Sequence, residues 1–263
     1  MSILDPSSPS ERPISSRVAF VTGASSGLGS HFAHLLASEK IGTLALGARR
    51  TDRLNTVAEE CMRRGAGRVI VLPLDVTDHD SIKDAFATIM KAERRVDLLV
   101  NNAGIAETAA ALDTSIEDFD RILDVNLRGV WSCATEAARI MKQQQTGDIV
   151  NIASILGLRV ASNLAPYAIS KAGVVQMTKA LAIEWARYGI RINALAPGYV
   201  QTEINADFFQ SESGEKVVKR IPMRRVGQLE DLDAPFRLLA LGQSRYMTGS
   251  IITVDGGHST NAL

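Results

Sequence analysis

The chain has 263 residues, 46% of them hydrophobic, which is enough apolar mass to bury the core of one large domain or two small ones. Lysine plus arginine equal aspartate plus glutamate at 29 each, so no basic field exists to draw in nucleic acid or an anionic membrane. The two cysteines, Cys61 and Cys133, stand far apart and in no metal-ligand spacing; they read as reduced, buried thiols of a cytoplasmic protein, with no metal implied.

Residues 1–16 are rich in serine and proline and lack the charged start and apolar stretch of a signal peptide. They read as a mobile tail ahead of a single domain over residues 17–263. No apolar run approaches bilayer length.

Arg17 to Val21 is a short apolar run ending in Thr22-Gly-Ala-Ser-Ser-Gly-Leu-Gly29, after which a helical pattern begins at Phe32, Leu35 and Leu36. Strand, glycine loop and helix start together aim backbone N–H groups and a positive helix end at phosphate. Gly23, Ser25, Ser26, Gly27, Leu28 and Gly29 are therefore candidate phosphate contacts, although their G-x-x-x-G-x-G spacing differs from the G-x-G-x-x-G fingerprint. The second run, Thr43 to Gly47, is followed by Ala48-Arg49-Arg50 at the place where an acidic side chain would bond the ribose of NAD. A planar arginine fork suits the 2′-phosphate of NADP instead. Arg49 is the first candidate; Arg50 belongs to the set but reads more as a solvated starter of the next helix.

The third run, Arg68 to Leu74, ends at Asp75-Val76, an acidic group placed to bond an adenine amino group. Val96 to Val100 opens into Asn101-Asn102-Ala103-Gly104, a sharp turn whose amides tie neighbouring loops or face a cofactor. Residues 116–143 read as one long helix with Asn126 inside it. Asparagine is a weak helix former and costly to bury unpaired, so Asn126 is expected either to hold a local distortion and an ordered water or to be a satisfied core amide.

Gly147 to Ile152 is the fifth run and delivers Ser154. Pro166 suits the first turn of the following helix, which carries Tyr167 and Lys171 four positions apart on one face. A fixed cation there favours the phenolate and would lower the phenol from its ordinary pKa of about 10. That makes Tyr167 a usable proton donor and acceptor, with the Ser154 hydroxyl beside it. Ile190 to Leu195 is the sixth run, leading to Pro197-Gly198-Tyr199-Val200-Gln201-Thr202, where Thr202 can reach a carboxamide or phosphate. Residues 203–225 turn polar and mixed in charge, as a lid would. Pro235 falls inside the helix expected after Glu230, where it would kink that helix or delay its start. Ser250 to Val254 is the last run. Ser154, Ile155, Leu156, Leu158, Val160, Asn163, Leu164, Tyr167 and Tyr199, with residues 204–209, outline an apolar-leaning substrate pocket.

Seven β-type runs alternating with helices predict an α/β fold with one doubly wound parallel sheet covered on both faces. Ligands then collect beyond the carboxyl ends of the strands, where Gly23, Asp75, Asn101, Ser154 and Pro197 fall.

Over residues 17–257 the sequence resembles the short-chain dehydrogenase/reductase family. The matching elements are Thr22 to Gly29, Asp75-Val76, Asn101 to Gly104, Asn126, Ser154, Tyr167-Ala-Ile-Ser-Lys171, Pro197-Gly198 with Thr202, and Asp255-Gly-Gly257. The resemblance implies a Rossmann-type domain with seven mainly parallel strands and an NAD(P) cofactor held by the loops named above together with Asn102, Ala103, Gly104, Tyr167, Lys171, Pro197, Gly198, Val200 and Thr202. It implies a catalytic set of Asn126, Ser154, Tyr167 and Lys171, in which Asn126 holds a relay water. Arg49 sits where NADP-preferring members carry a basic residue, so NADPH is expected over NADH. The expected reaction is hydride transfer between cofactor and a ketone or secondary alcohol, and the expected assembly is a homotetramer using the helix from Tyr167 to Tyr188. Two alternatives stand beside this reading. One is reduction of a 3-oxoacyl thioester on acyl carrier protein or coenzyme A, for which Lys216, Lys219, Arg220, Arg224 and Arg225 supply a basic patch unless that segment is a solvated helix of mixed charge. The other is a dinucleotide-sensing regulator without turnover, against which Ser154, Tyr167 and Lys171 speak.

Overall fold

The computed structural model describes residues 12–202 and 206–260. Its seven strands are β1 (Val18–Thr22), β2 (Thr43–Ala48), β3 (Arg68–Pro73), β4 (Leu98–Asn101), β5 (Gly147–Ile152), β6 (Ile190–Pro197) and β7 (Ile251–Val254). They form one sheet in the order β3-β2-β1-β4-β5-β6-β7, with every neighbouring pair parallel. All positions of β1, β2, β4 and β5 are buried, so these strands appear in the sequence as continuous apolar runs without alternation. The chain winds outward from β1 to β3 and then crosses to β4 on the other side of β1, and this reversal opens a crevice at the carboxyl ends of β1 and β4.

Helices α1 (Gly27–Ser38), α2 (Thr51–Arg64), α3 (His79–Glu93), α4 (Ile116–Leu123), α5 (Gly129–Gln144), α6 (Ala165–Trp185), α7 (Ala206–Phe209), α8 (Glu212–Arg220) and α9 (Asp233–Ala240) complete the fold. On one face α1 and α9 meet through Phe32 stacked on Phe236 at 4.1 Å between ring centroids. On the other face α3, α5 and α6 pack over the sheet, and Phe20 of β1 meets Phe86 of α3 edge-on at 5.2 Å. Both cysteines are free and buried, and burial pushes each thiol up to about 12, which leaves them inert. At the amino ends of the strands, opposite the crevice, Asp148 is gripped by Arg17 at 2.8 Å and Arg191 at 2.6 Å.

Two expectations need correction. Residues 12–16, read as tail, are built into the fold: Ile14 packs against the core, and the Gly42 amide donates to the Ile14 carbonyl at 3.0 Å. Residues 1–11 lie outside the described residues. The single helix expected over 116–143 is two helices joined by a π turn at Asp124–Arg128 centred on Asn126. The apolar period runs on through the join, which hides the extra residue. Of the two outcomes expected of Pro235 the second is found: a 3-10 turn at Leu229–Leu232 precedes α9, whose start is delayed so that Pro235 falls in its first turn, where its missing N–H has no helical partner to lose. The segment read as a lid holds α7 and α8; residues 203–205 lie outside the described residues.

Candidate active site

A cleft of about 490 Å³ occupies the crevice and is lined by Gly23, Ser25, Ser26, Gly27 and Leu28 at one end and by Ser154, Tyr167 and Lys171 at the other. The glycine loop is shaped by close approach. Gly23 has φ +66°, and a Cβ on it would stand 2.7 Å from Ala103 Cα. At Gly27, φ +56°, a Cβ would meet nothing within 4 Å, so the backbone there faces open space. Ser26, the residue before α1, makes no side-chain cap to that helix; its Oγ accepts from Arg50 Nη2 at 2.9 Å, and Ser25 Oγ accepts from the same nitrogen at 3.1 Å. The first-turn N–H groups of α1 thus remain available at the cleft, as a pyrophosphate requires.

Arg50 stands exposed immediately before α2, as the reading of a solvated helix starter expects, but its guanidinium does more than face water. It reaches back from the end of β2 and braces the loop, while Arg49 lines the same cleft next to Asp75. Burial pushes the Asp75 carboxyl up, but hydrogen bonds from the Thr77 amide and hydroxyl, with the charge of Arg49, more than reverse this and hold it below its ordinary value. Val76 lines the cleft beside it. Asn102 Nδ2 donates to the carbonyls of Thr22 at 3.0 Å and Gly23 at 3.2 Å, which ties the β4 turn to the glycine loop. The Thr22 hydroxyl accepts from the amides of Asn102 and Ala103, each at 3.1 Å. Ala103, Gly104, Pro197, Gly198 and Thr202 also line the cleft.

Tyr167 lies in the first turn of α6, where Pro166 starts the helix, and Lys171 is one turn further on. Burial pushes the Tyr167 phenol above its ordinary value, and the hydrogen bond from Ser154 pulls it part of the way back. Lys171 Nζ stands 5.7 Å from the Tyr167 ring centroid, donates to the Ile152 carbonyl at 2.8 Å, and is itself lowered to about 8 by burial. In the chain by itself desolvation outweighs the hydrogen bond from Ser154, so the phenol lies above its ordinary value, against the expected lowering. Asn126 is fully buried, and its amide is spent on protein partners. Its Nδ2 donates to the Ile105 carbonyl at 2.8 Å and to Ser170 Oγ at 3.1 Å, and its Oδ1 accepts from the Ile105 amide at 2.8 Å. Both amide hydrogens are engaged, so no side-chain donor remains for the expected water.

The substrate side departs most from expectation. Ser154 and Tyr167 face the cleft, but Leu156, Asn163, Tyr199 and Val200 do not line it. The Leu156 amide donates to Ser154 Oγ at 3.1 Å, and the Asn163 carbonyl accepts from the Ala109 amide at 3.0 Å. Ile155 is a core residue. Tyr199 and Val200 line a separate cavity of about 180 Å³, and the Tyr199 ring also meets Phe209 of α7 edge-on at 6.0 Å and His258 at 5.7 Å. Within α8, Lys216 pairs with Glu212 at 2.7 Å and Lys219 with Glu215 at 3.7 Å, as in a solvated helix of mixed charge. Arg225 pairs with Asp231 at 2.6 Å.

A family model described as enoyl-(acyl carrier protein) reductase matches residues 23–259. A 3-oxoacyl-(acyl-carrier-protein) reductase of Thermotoga maritima is 36% identical over 241 residues, covering 92% of this chain and 97% of its own. The chain is a short-chain dehydrogenase/reductase. Solved relatives of this dehydrogenase/reductase include a gluconate 5-dehydrogenase from Burkholderia cenocepacia in complex with NADP and tartrate, at TM-score 0.88, 32% identity and coverage of 94% and 96%. Levodione reductase follows at TM-score 0.88, 30% identity and coverage of 93% and 98%. This family membership makes the chain an NAD(P)-dependent oxidoreductase of small molecules. The activities for which these relatives are named differ, so the family fixes the chemistry and leaves the substrate to the pocket. Among the described residues of this dehydrogenase/reductase no helix is long and apolar enough to cross a membrane.

Sequence reasoning missed three contributors. Thr22 Oγ1, Arg50 as a loop brace and Ser170 between Asn126 and the Tyr167 carbonyl all act on neighbours distant in sequence. Only the bare presence of a hydroxyl or guanidinium was visible beforehand.

Proposed function

We propose that the chain is an NADPH-preferring reductase of ketones, running in reverse on secondary alcohols, with Tyr167 as the proton donor. The observation that carries this reading is that Ser154, Tyr167 and Lys171 line the same cleft as the glycine loop and the Arg49-Arg50 pair. The uncapped start of α1 and the open space at Gly27 suit a dinucleotide pyrophosphate, and the two arginines suit a 2′-phosphate. A bound nicotinamide supplies the hydride. Ser154 and Tyr167 hydrogen-bond the carbonyl oxygen and stabilise the charge that grows on it. A phenol raised above its ordinary value is protonated at neutral pH, so Tyr167 stands ready to donate. Lys171, buried and held on the Ile152 carbonyl, anchors the cofactor ribose; α7 and α8 close over the substrate; and the chain self-associates through α6 as a homotetramer.

The test is a spectrophotometric screen of NADPH and NADH against ketones, 3-oxo thioesters and alcohols. Tyr167→Phe should lower turnover about a thousandfold and leave NADPH binding nearly intact. Full activity in that variant would reject the assignment. A second reading, reduction of a 3-oxoacyl thioester, is favoured by the relatives that carry that name. The internal pairing of Lys216 and Lys219 weighs against an acidic carrier at this lid. Higher kcat/KM on acetoacetyl thioesters than on free ketones would decide for it.

A further inference from the structure

Ser170 is fully buried in α6, next to Lys171 and one turn beyond Tyr167. Serine is a poor choice for a helix interior, because its hydroxyl competes for backbone groups and alanine serves better. Here the hydroxyl donates to the Tyr167 carbonyl at 2.7 Å and accepts from Asn126 Nδ2 at 3.1 Å. A serine satisfying only itself would need the first bond alone. The second spans 44 positions and reaches the π turn between α4 and α5. Asn126 in turn holds both backbone groups of Ile105, a cleft residue, at 2.8 Å. The neighbouring Gly104 fits so closely that a Cβ there would lie 3.3 Å from Asn126 Oδ1 and 3.6 Å from Lys171 Nζ. The cofactor-side loop, the π turn and the turn of α6 bearing Tyr167 and Lys171 are thus joined at one hydroxyl.

We infer that Ser170 is a positioning residue: its hydroxyl fixes the height and rotation of the Tyr167–Lys171 turn against Asn126, and through that the placement of the phenol against Ser154. The inference rests on the reading of Tyr167 as proton donor. It also explains why a helix interior carries serine at a point where no substrate or cofactor atom need touch it.

The experiment compares Ser170→Ala, Ser170→Thr, Asn126→Ala and the double variant Ser170→Ala/Asn126→Ala with the parent chain. It records kcat, KM for NADPH, the pH profile of kcat and the ultraviolet titration of the Tyr167 phenol, isolated by subtracting the matching Tyr167→Phe background. Ser170→Ala should lose about tenfold to a hundredfold in kcat, with KM for NADPH changed by less than about twofold. Its phenol titration should move by about half a pH unit or more as the phenol loses its place against Ser154. Ser170→Thr keeps the hydroxyl and should stay within about threefold of the parent. Losses from Ser170→Ala and Asn126→Ala should not add, because both break one link. An unchanged kcat and phenol titration in Ser170→Ala, equal losses in the alanine and threonine variants, or full additivity would each overturn the inference. Should Ser170→Ala not fold, Ser170→Cys, of similar volume and weak donor strength, takes its place with the same expectations. If the parent reduces no ketone at all, the functional reading fails separately. The phenol titration still decides on Ser170: a shift supports the inference and its absence overturns it.

Discussion

Lys171 holds an ammonium group where water cannot reach it, with the Ile152 carbonyl as its hydrogen-bond acceptor. Burial lowers it from 10.5 to about 8, so the unfolded chain binds this proton more tightly than the folded one between those values. Stability contributed at this site therefore rises as pH climbs from about 8 to 10.5, and the burial penalty is fully present below 8. Lys171→Met should accordingly raise stability at pH 7 by about 1–3 kcal/mol, the lower part of the range allowing for the acceptor left on Ile152. The same variant should abolish turnover. Thermal melts at pH 7 and pH 10.5 check the sign: the gap between variant and parent should shrink at the higher pH, and a destabilised variant at pH 7 would contradict it. Arg49 poses a different question, since Arg50 is already committed to Ser25 and Ser26. Arg49→Ala should weaken NADPH by about 1.5–3 kcal/mol, the range of a hydrogen bond to a charged group, and leave NADH within a few tenths. Equal losses for both cofactors, measured by fluorescence titration, would remove the phosphate contact.

At the scale of the elements, what holds α6 to the sheet is polar as well as apolar. Asn101 at the end of β4 donates to Asn151 Oδ1 of β5 at 3.0 Å, and Asn151 Nδ2 donates to Thr178 Oγ1 of α6 at 2.9 Å, all three being buried. Thr178→Val keeps shape and removes the last acceptor, which strands an amide hydrogen of Asn151. The loss should be about 1–3 kcal/mol, read as a lower midpoint in urea with an unchanged slope. An unaltered midpoint would mean the amide finds another partner. The sequence made the central strands legible because β1, β2, β4 and β5 are buried on both faces, and the glycine loop, Ser154, Tyr167 and Lys171 legible because their order along the chain is itself a pattern. A distortion at Asn126 was legible from an asparagine inside a helical run, but its form as a π turn stayed hidden, since one added residue in a helix leaves hydrophobic spacing nearly intact on either side. Ser170, Arg50 and the upward shift of Tyr167 stayed hidden for a related reason. Each is a property of a neighbourhood assembled from distant segments, and the bare sequence does not show what stands next to what.

For the molecule as a whole, the unusual surface is the outer side of α6. A helix covering a sheet ordinarily turns charge toward water, and α6 does so at Lys179 and Glu184, yet beside them it exposes an apolar stripe. Ile169, Ala172, Ala180 and Ile183 are exposed at helical spacing, Ile183 to 83%, and α5 adds Trp131 at 49%. Scattered single apolar residues need no explanation, whereas a stripe along one long helix suits the contact proposed above. Equal numbers of acidic and basic residues, 29 each, leave little net repulsion between copies. A twofold axis on this face would set α6 against α6, and because the same helix carries Tyr167 and Lys171 on its inner side, association would stiffen the site from behind. The parent chain should sediment as a tetramer at micromolar concentration. Ala180→Glu with Ile183→Glu should yield a smaller species of unchanged far-ultraviolet circular dichroism, lower thermal midpoint and reduced kcat. A parent chain that sediments as a monomer, or a double variant of unchanged mass, would place the contact elsewhere and leave the apolar stripe on α6 without a partner.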